Sequence, residues 1–99
     1  MDPRVTLEQW QSLAAVVEHG SYAKAAEALH KSQSSVTYAV QKLESQLDVR
    51  AFELKGRKAV LTQTGELLYK RARALLDDAA ALEKVAKSVS AGWEAEIRI

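Results

Sequence analysis

The sequence predicts a mainly α fold: a winged helix-turn-helix of three helices and a small β-hairpin, followed by a long dimerising linker helix. Two short helices joined by a tight turn follow the first helix, which is the layout of a helix-turn-helix. Short apolar segments then flank the turn "KGRK", as in a hairpin. Beyond residue 62 apolar residues recur at heptad spacing. The 99 residues suffice for one such small domain.

The first helix is predicted from a start signal and a stop signal. Thr6 and Gln9 have the spacing of a capping box, and Gly20 stands where a glycine commonly ends a helix. Apolar residues lie on one face of the helix between them, namely Leu7, Trp10, Leu13, Ala14 and Val17.

The second and third helices form the predicted helix-turn-helix. Ser21 is a good N-cap for an alanine-rich helix from Tyr22 to about Leu29. Ser32 caps the third helix, whose recognition segment covers about 32–46. The buried face of this helix is predicted to hold Val36, Val40, Leu43 and Leu47. The opposite face carries Gln33, Ser34, Thr37, Tyr38 and Gln41.

Thr62 is the predicted N-cap of a long helix that runs to about Val89, roughly 40 Å. A helix of that length cannot bury a full heptad seam on a small three-helix core, so the seam predicts a homodimer, with the first helix covering part of it. The seam consists of Leu68, Ala72, Leu75, Ala79, Leu82, Ala86 and Val89.

Gly92 is expected to end this helix, and residues 97–99 alternate like the start of a strand. The resulting organisation is a winged helix-turn-helix domain over 1–62, a dimerisation helix over 63–90, and the start of a C-terminal domain over 91–99.

The polar face of the third helix suggests a reader of DNA bases. An α-helix fits the major groove, and its N-terminal residues reach base edges first. Gln33 can pair with adenine through both amide atoms, and the hydroxyls of Ser34 and Thr37 serve donors or acceptors. Tyr38 and Gln41 extend this face, whereas Ser32 is expected to act only as a cap.

Backbone contacts are predicted for the wing, residues 55–58. Lys55, Arg57 and Lys58 can hold phosphate oxygens, and an arginine at the tip can enter a minor groove. Ser21 and Thr62 open helices whose backbone N–H groups could also hold a phosphate.

Composition excludes several other classes. The net charge is +1, but from Lys55 to Arg73 six basic residues stand against one acid, which suggests a surface that meets an anion. Without cysteine, a membrane-length apolar run or a signal peptide, the chain is expected to be cytoplasmic, with no metal site and no membrane contact. His19 and His30 stand apart from any catalytic pattern, so no enzyme is expected. The alternative is a winged helix that binds protein or dimerises without specific DNA readout.

The chain resembles the N-terminal DNA-binding domain of LysR-type bacterial transcriptional regulators, from Leu7 to about Val89. The matching elements are "EHGSYAKAAEALHKSQSSVTYAVQKLESQL", Phe52 and "VLTQTG". The resemblance implies a homodimer or tetramer on a dyad-symmetric promoter site, RNA polymerase as a further partner, and a C-terminal domain that binds a small-molecule effector. It places recognition contacts on Gln33, Ser34, Ser35, Thr37 and Tyr38, and the wing arginine on Arg57. No cofactor is implied for this domain.

Four residues depart from the family pattern. Asp48 replaces a usual glycine, Leu54 a common arginine, Tyr38 a frequent arginine and Ala39 a frequent glutamine. These changes suggest a different base preference and put one phosphate contact in doubt. Molybdate-responsive regulators have a similar N-terminal domain and remain a second family to which the chain could belong.

Overall fold

The computed structural model describes residues 2–97, with side chains described for residues 2–91. It contains three short helices, an antiparallel hairpin and one long helix, which confirms the predicted winged helix-turn-helix. The elements are α1 (Leu7–His19), α2 (Tyr22–Leu29), α3 (Gln33–Leu47), β1 (Phe52–Lys55), β2 (Lys58–Leu61) and α4 (Gln63–Ile97).

The predicted helix starts are formed by side-chain caps. Thr6 Oγ1 accepts the Gln9 N–H at 3.1 Å, and Gln9 Oε1 accepts the Thr6 N–H at 2.8 Å, so the capping box is complete. Ser21 and Ser32 each accept one backbone N–H of the first turn of α2 and α3. These bonds satisfy amide donors that have no partner inside the helix.

Two of the three short helices end in a left-handed residue that is not glycine. His30 follows α2 with φ 56°, and Asp48 follows α3 with φ 53°. Glycine adopts this conformation without steric cost, which is the physical reason for the family's usual glycine at the position of Asp48. Gly20 ends α1 with φ 81°, as predicted.

The core lies where α1, α2 and α3 pack together. Val36, Val40 and Leu43 of α3 are completely buried, and Leu13 of α1 is buried with them. The prediction that Leu47 is buried is wrong, because its side chain is 40% exposed. It is the last residue of α3 and lies beyond the fully buried part of that helix. Leu7, the first residue of α1, is 48% exposed.

The hairpin is fastened to α3 at its first residues. Glu44 Oε2 accepts the N–H groups of Ala51 and Phe52 at 2.7 and 3.3 Å. The Phe52 ring is buried and meets the ring of Tyr22 edge to face, with centroids 6.0 Å apart. Burial, and then the nearby Glu44 carboxylate, raise the pKa of Tyr22. The wing therefore has a defined position relative to α3.

Helix α4 begins at the predicted cap but ends later than predicted. Thr62 Oγ1 accepts the Gly65 N–H at 3.0 Å. The helix continues through Gly92 to Ile97, so the predicted end at Gly92 and the predicted strand at Ile97 are wrong. A helical glycine costs only about 1 kcal/mol, which helix-forming neighbours can offset. Arg98 and Ile99 lie outside the described residues.

Within residues 63–91, the buried and half-buried positions of α4 lie in its first half. Leu68 is half-buried and Ala72 is 2% exposed, in the helix that packs on α1. Leu75, Leu82 and Val89 are 43%, 70% and 45% exposed. The chain extends 64 Å along its longest axis because α4 projects from the domain. The heptad seam is thus divided between a packed start and an exposed remainder.

Candidate nucleic-acid interface

The exposed polar side chains of α3 form two flanks along the helix. Gln33, Thr37 and Gln41 face the wing and line a groove of about 640 Å³ between α3 and the hairpin. Ser35 and Tyr38 lie on the other flank, toward the start of α1. The structure thus brings Gln33, Thr37 and Gln41 together with the wing and places Ser35 and Tyr38 on the other flank, while Ser34 belongs to neither set.

Serine side chains at the start of α3 are partly occupied by the helix cap. Ser32 Oγ accepts the Ser35 N–H at 3.2 Å and donates to Ser35 Oγ at 2.9 Å. Ser32 is therefore the cap that the sequence predicted. Ser34 Oγ lies 3.3 Å from Ser32 Oγ, and Ser34 is exposed. Among these three serines, Ser34 has the hydroxyl with most freedom to meet a ligand.

The hydroxyl of Thr37 is held in a fixed direction by the helix itself. Thr37 Oγ1 donates to the Gln33 carbonyl oxygen at 2.9 Å. The oxygen keeps its lone pairs, so in this rotamer Thr37 offers an acceptor and a methyl group. Gln33 is exposed one turn earlier on the same flank and offers both an acceptor and a donor. An amide followed by an acceptor and a methyl is a chemically asymmetric pattern, suited to distinguishing base edges.

Tyr38 projects from the second flank beside a cation that the sequence-based prediction missed. Its side chain is 64% exposed, and Lys42 Nζ lies 5.8 Å from the ring centroid. The spacing of four residues places the two side chains on the same side of the helix. That spacing was the signal that could have identified Lys42 as part of the polar surface.

The groove between α3 and the wing has more acidic than basic side chains in its lining. Glu44, Asp48 and Glu53 border it, together with one basic residue, Arg50. Carboxylates repel phosphate, so this groove is less suited to the DNA backbone than the wing tip is. Base edges with amino groups suit it better, because Glu and Asp can accept from the N4 amino group of cytosine. Leu54, 76% exposed, adds an apolar group to the same groove.

The wing tip is basic, and repulsion between its like charges lowers the stability of the isolated domain. Lys55 and Lys58 are directly paired across the hairpin, and Arg57 lies in the turn between them. All three are exposed. Like charges directly opposite each other destabilise a sheet, and a bound anion would relieve this repulsion. Gly56 permits the turn with φ 67°.

The two residues predicted to mark phosphate sites at helix starts have structural roles. Ser21 Oγ accepts the Lys24 N–H at 3.1 Å. Thr62 Oγ1 lies 2.5 and 3.1 Å from the carbonyl oxygens of Arg50 and Ala51, and it also accepts the Gly65 N–H. Both hydroxyls are thus used within the chain, and phosphate contacts at these helix starts stay predictions.

The described residues contain few features of other functional classes. Within residues 2–97 no cluster of three or more His, Cys, Asp or Glu side chains has a metal-binding arrangement. Over the same part of the chain, no helix combines the length and apolarity needed to cross a membrane.

Comparison with known proteins places this geometry in one family. A family model described as bacterial regulatory helix-turn-helix protein, lysR family, matches residues 7–66. The probable HTH-type transcriptional regulator YhaJ of Escherichia coli K12 is 37% identical over 95 residues, which are 96% of this chain and 32% of that protein.

Solved structures show the same fold. Oxidised OxyR of Corynebacterium glutamicum superposes with a TM-score of 0.83 at 32% identity, over 90% of this chain and 27% of that one. The BenM_DBD/catB site 1 DNA complex gives a TM-score of 0.82 at 29% identity, over 88% of this chain and 94% of that one. The chain spans no more than about a third of the length of the curated relatives it matches.

Proposed function

The chain belongs to the lysR family of bacterial regulatory helix-turn-helix proteins, and from this premise we propose that it is the sequence-specific DNA-binding domain of a transcriptional regulator. Family membership confirms the predicted family and the prediction of a regulator instead of an enzyme. In the proposed complex α3 enters the major groove and the wing contacts the backbone or the adjacent minor groove.

One observation carries this proposal: the polar face of α3 lines a groove against the hairpin whose turn forms the basic wing tip. Gln33 and Thr37 offer hydrogen-bonding groups that can discriminate bases, and Lys55 and Arg57 offer charges that attract phosphate. Lys55 and Arg57 do not line the groove that holds Gln33 and Thr37, so the proposed backbone and base contacts are spatially separated. A protein-binding module has no physical need for this separation.

Self-association through α4 is the second part of the proposal. The exposed Leu75, Leu82 and Val89 repeat every seven residues along a helix that leaves the domain. Burial of such a row against a second copy removes apolar surface from water at about 25 cal/mol per Å². Two copies would then present two α3 helices to a dyad-symmetric site. Leu68 and Ala72 contribute less, because within the single chain Leu68 is already half-buried and Ala72 is buried.

The longer protein is proposed to act in the cytoplasm and to carry a C-terminal domain that binds a small-molecule effector. This proposal is supported by the family and by the length of the curated relatives. RNA polymerase is the partner expected of a promoter-bound regulator in this family. Residues 1–62 would bind DNA, residues 63–90 would dimerise, and residues from 91 would lead toward the effector domain.

Selection from random duplex DNA, followed by fluorescence anisotropy on the enriched sequence, tests base reading. Gln33→Ala should lose about 1–3 kcal/mol of binding free energy at one base position, because it removes a bidentate contact. Gln11→Ala is the matched control, since Gln11 is an exposed glutamine on α1. Urea unfolding should show that neither substitution changes stability by more than about 0.5 kcal/mol.

Two outcomes would contradict the proposal. If no sequence were enriched and binding at low salt were absent, the chain would be an interaction module without DNA readout. If Gln33→Ala bound every single-base variant as the unsubstituted chain does, Gln33 would have no role in base recognition.

A further inference from the structure

A cluster of charged and polar side chains joins α1 to the base of α4. Glu18 Oε2 accepts the Tyr69 hydroxyl at 2.9 Å and Arg73 Nη1 at 2.8 Å. Arg73 also contacts Asp77, with Nε and Nη2 3.2 and 3.1 Å from Asp77 Oδ1. We call these four residues the Glu18 cluster. One carboxylate oxygen of α1 thus receives two donors from successive turns of α4.

Glu18 is poorly placed for the stability of its own helix. It lies in the last turn of α1, next to His19, where the helix dipole is negative and a carboxylate is unfavourable. Burial also opposes its ionisation, but the hydrogen bonds from Arg73 and Tyr69 outweigh burial and lower the pKa of Glu18. The residue is therefore explained by its contacts with α4 and not by the local requirements of α1.

The cluster lies where α4 leaves the domain. Ala72, one residue before Arg73, is 2% exposed, whereas residues 80–91 are all exposed. Leu76, between Arg73 and Asp77, and Ala79, two residues beyond the cluster, are half-buried. The direction of the projecting helix is thus determined over a short packed region. Small apolar side chains such as Ala72 resist tilting or rotation of a helix less than the Arg73 guanidinium does, because the guanidinium is bound to the Glu18 carboxylate of another helix.

A small tilt at this point has a large effect at the far end of α4. With a rise of about 1.5 Å per residue, Ser88 is roughly 22 Å beyond Arg73, and a tilt of about 10° there displaces Ser88 by about 4 Å. One base pair along DNA corresponds to about 3.4 Å. A tilt of about 10° at the base of α4 therefore moves its far end by about as much as one base pair adds to the half-site separation.

We infer that the Glu18 cluster is a positioning device, in which Glu18, Tyr69 and Arg73 hold α4 at one angle to the DNA-binding domain and thereby set the half-site spacing that a dimer accepts. The second clause of this inference rests on the proposed function. The first clause concerns one chain alone and can be tested without DNA.

The angular part is tested by distance measurements between spin labels. Since the sequence has no cysteine, Glu27→Cys on α2 and Ser88→Cys on α4 provide two unique labelling sites. The labelled chain is diluted with an excess of unlabelled chain, so that only distances within one chain are recorded. Arg73→Gln should broaden the distance distribution by several ångströms, whereas Arg71→Gln should leave it unchanged.

Arg71→Gln is a matched control because it removes the same charge from the same helix. Arg71 is exposed, lies two residues from Arg73, and forms none of the bonds of the Glu18 cluster. Glu18→Gln should broaden the distribution, and the double variant Glu18→Gln with Arg73→Gln should be no broader than Arg73→Gln alone. Equal distributions for Arg73→Gln, Arg71→Gln and the unsubstituted chain would overturn the inference.

The spacing part is tested with duplexes whose two half-sites are separated in steps of one base pair. The unsubstituted chain and Arg71→Gln should prefer one spacing. Arg73→Gln should bind duplexes with neighbouring spacings almost as well as the one with the preferred spacing. Its affinity for a single half-site should match that of Arg71→Gln. An unchanged spacing profile would overturn the link to DNA spacing. Absence of DNA binding by the unsubstituted chain would instead refute the proposed function and leave the angular inference to the label distances.

Discussion

Gly65 offers a sharp test of how the wing and α4 are joined. A Cβ at this position would lie 2.2 Å from the Ala51 carbonyl oxygen and 2.6 Å from Leu61 Cδ1. Ordinary van der Waals contact begins near 3.4 Å, so the Ala51 peptide would have to retreat by about 1 Å. That carbonyl accepts the Thr62 N–H at 2.9 Å, and displacement would weaken this bond. Gly65→Ala should therefore disturb the junction of the wing and α4.

The expected loss follows from three opposing contributions. Overpacking typically costs about 1–3 kcal/mol, and a weakened hydrogen bond to Ala51 costs about 1 kcal/mol more. Alanine at a helical position regains up to about 1 kcal/mol relative to glycine. The net destabilisation of Gly65→Ala should thus be about 2 kcal/mol, which urea unfolding followed by circular dichroism measures as a lower midpoint with an unchanged slope.

Two control substitutions separate the steric effect from other effects. Thr64→Ala is exposed in the same helical turn and should change stability by less than about 0.5 kcal/mol. Gly56→Ala meets no atom within 4 Å but has φ 67°, so it should cost about 1–2 kcal/mol through backbone strain alone. If Gly65→Ala were as stable as the unsubstituted chain, the close approach to Ala51 would not constrain this junction.

Three further predictions concern DNA, assembly and pH. Arg57→Ala should weaken binding to all duplexes and reduce the slope of log affinity against log salt concentration by about one unit. Lys84→Ala, on the exposed part of α4, should change neither quantity. Anisotropy titrations at several salt concentrations measure both. Replacement of Leu75 and Leu82 by glutamate should yield a folded monomer in sedimentation, and a dimer unchanged by both replacements would contradict the proposed seam. The pKa of Glu18 is lowered in the fold, because its hydrogen bonds outweigh burial. The contribution of Glu18 to the free energy of unfolding is therefore present above about pH 4.5 and is lost as the pH falls further. The difference in stability between the unsubstituted chain and Glu18→Gln should be constant near neutral pH and shrink in acid.

Local signals in the sequence predicted the helix starts well. A cap needs only residues that are three positions apart, so Thr6, Ser21, Ser32 and Thr62 could be identified without knowledge of the packing. Gly92 was misleading for the same local reason, because a glycine cost of about 1 kcal/mol ends a helix only where nothing else supports it.

Contacts between distant elements could not be predicted in this way. Glu18 and Arg73 are 55 positions apart, and their ion pair depends on how α1 and α4 cross. The division of the α3 surface into a wing-facing flank with Gln33 and an opposite flank with Tyr38 depends likewise on where the hairpin packs. The helical periodicity of the sequence predicted that the polar residues of α3 share one exposed face. It contained no information on which elements lie beside each flank of that face.

The junction around Ala51 explains why departures from the family pattern can alter recognition without altering the fold. Its N–H is bound by Glu44 of α3, and its carbonyl oxygen accepts the N–H of Thr62 at the start of α4. One buried peptide segment therefore links the recognition helix, the wing and the linker helix. Tyr38 and Leu54 are 64% and 76% exposed and are not part of this linkage. Substitution at such exposed positions usually changes stability by less than about 0.5 kcal/mol, so base preference can vary there while the geometry of the interface is kept.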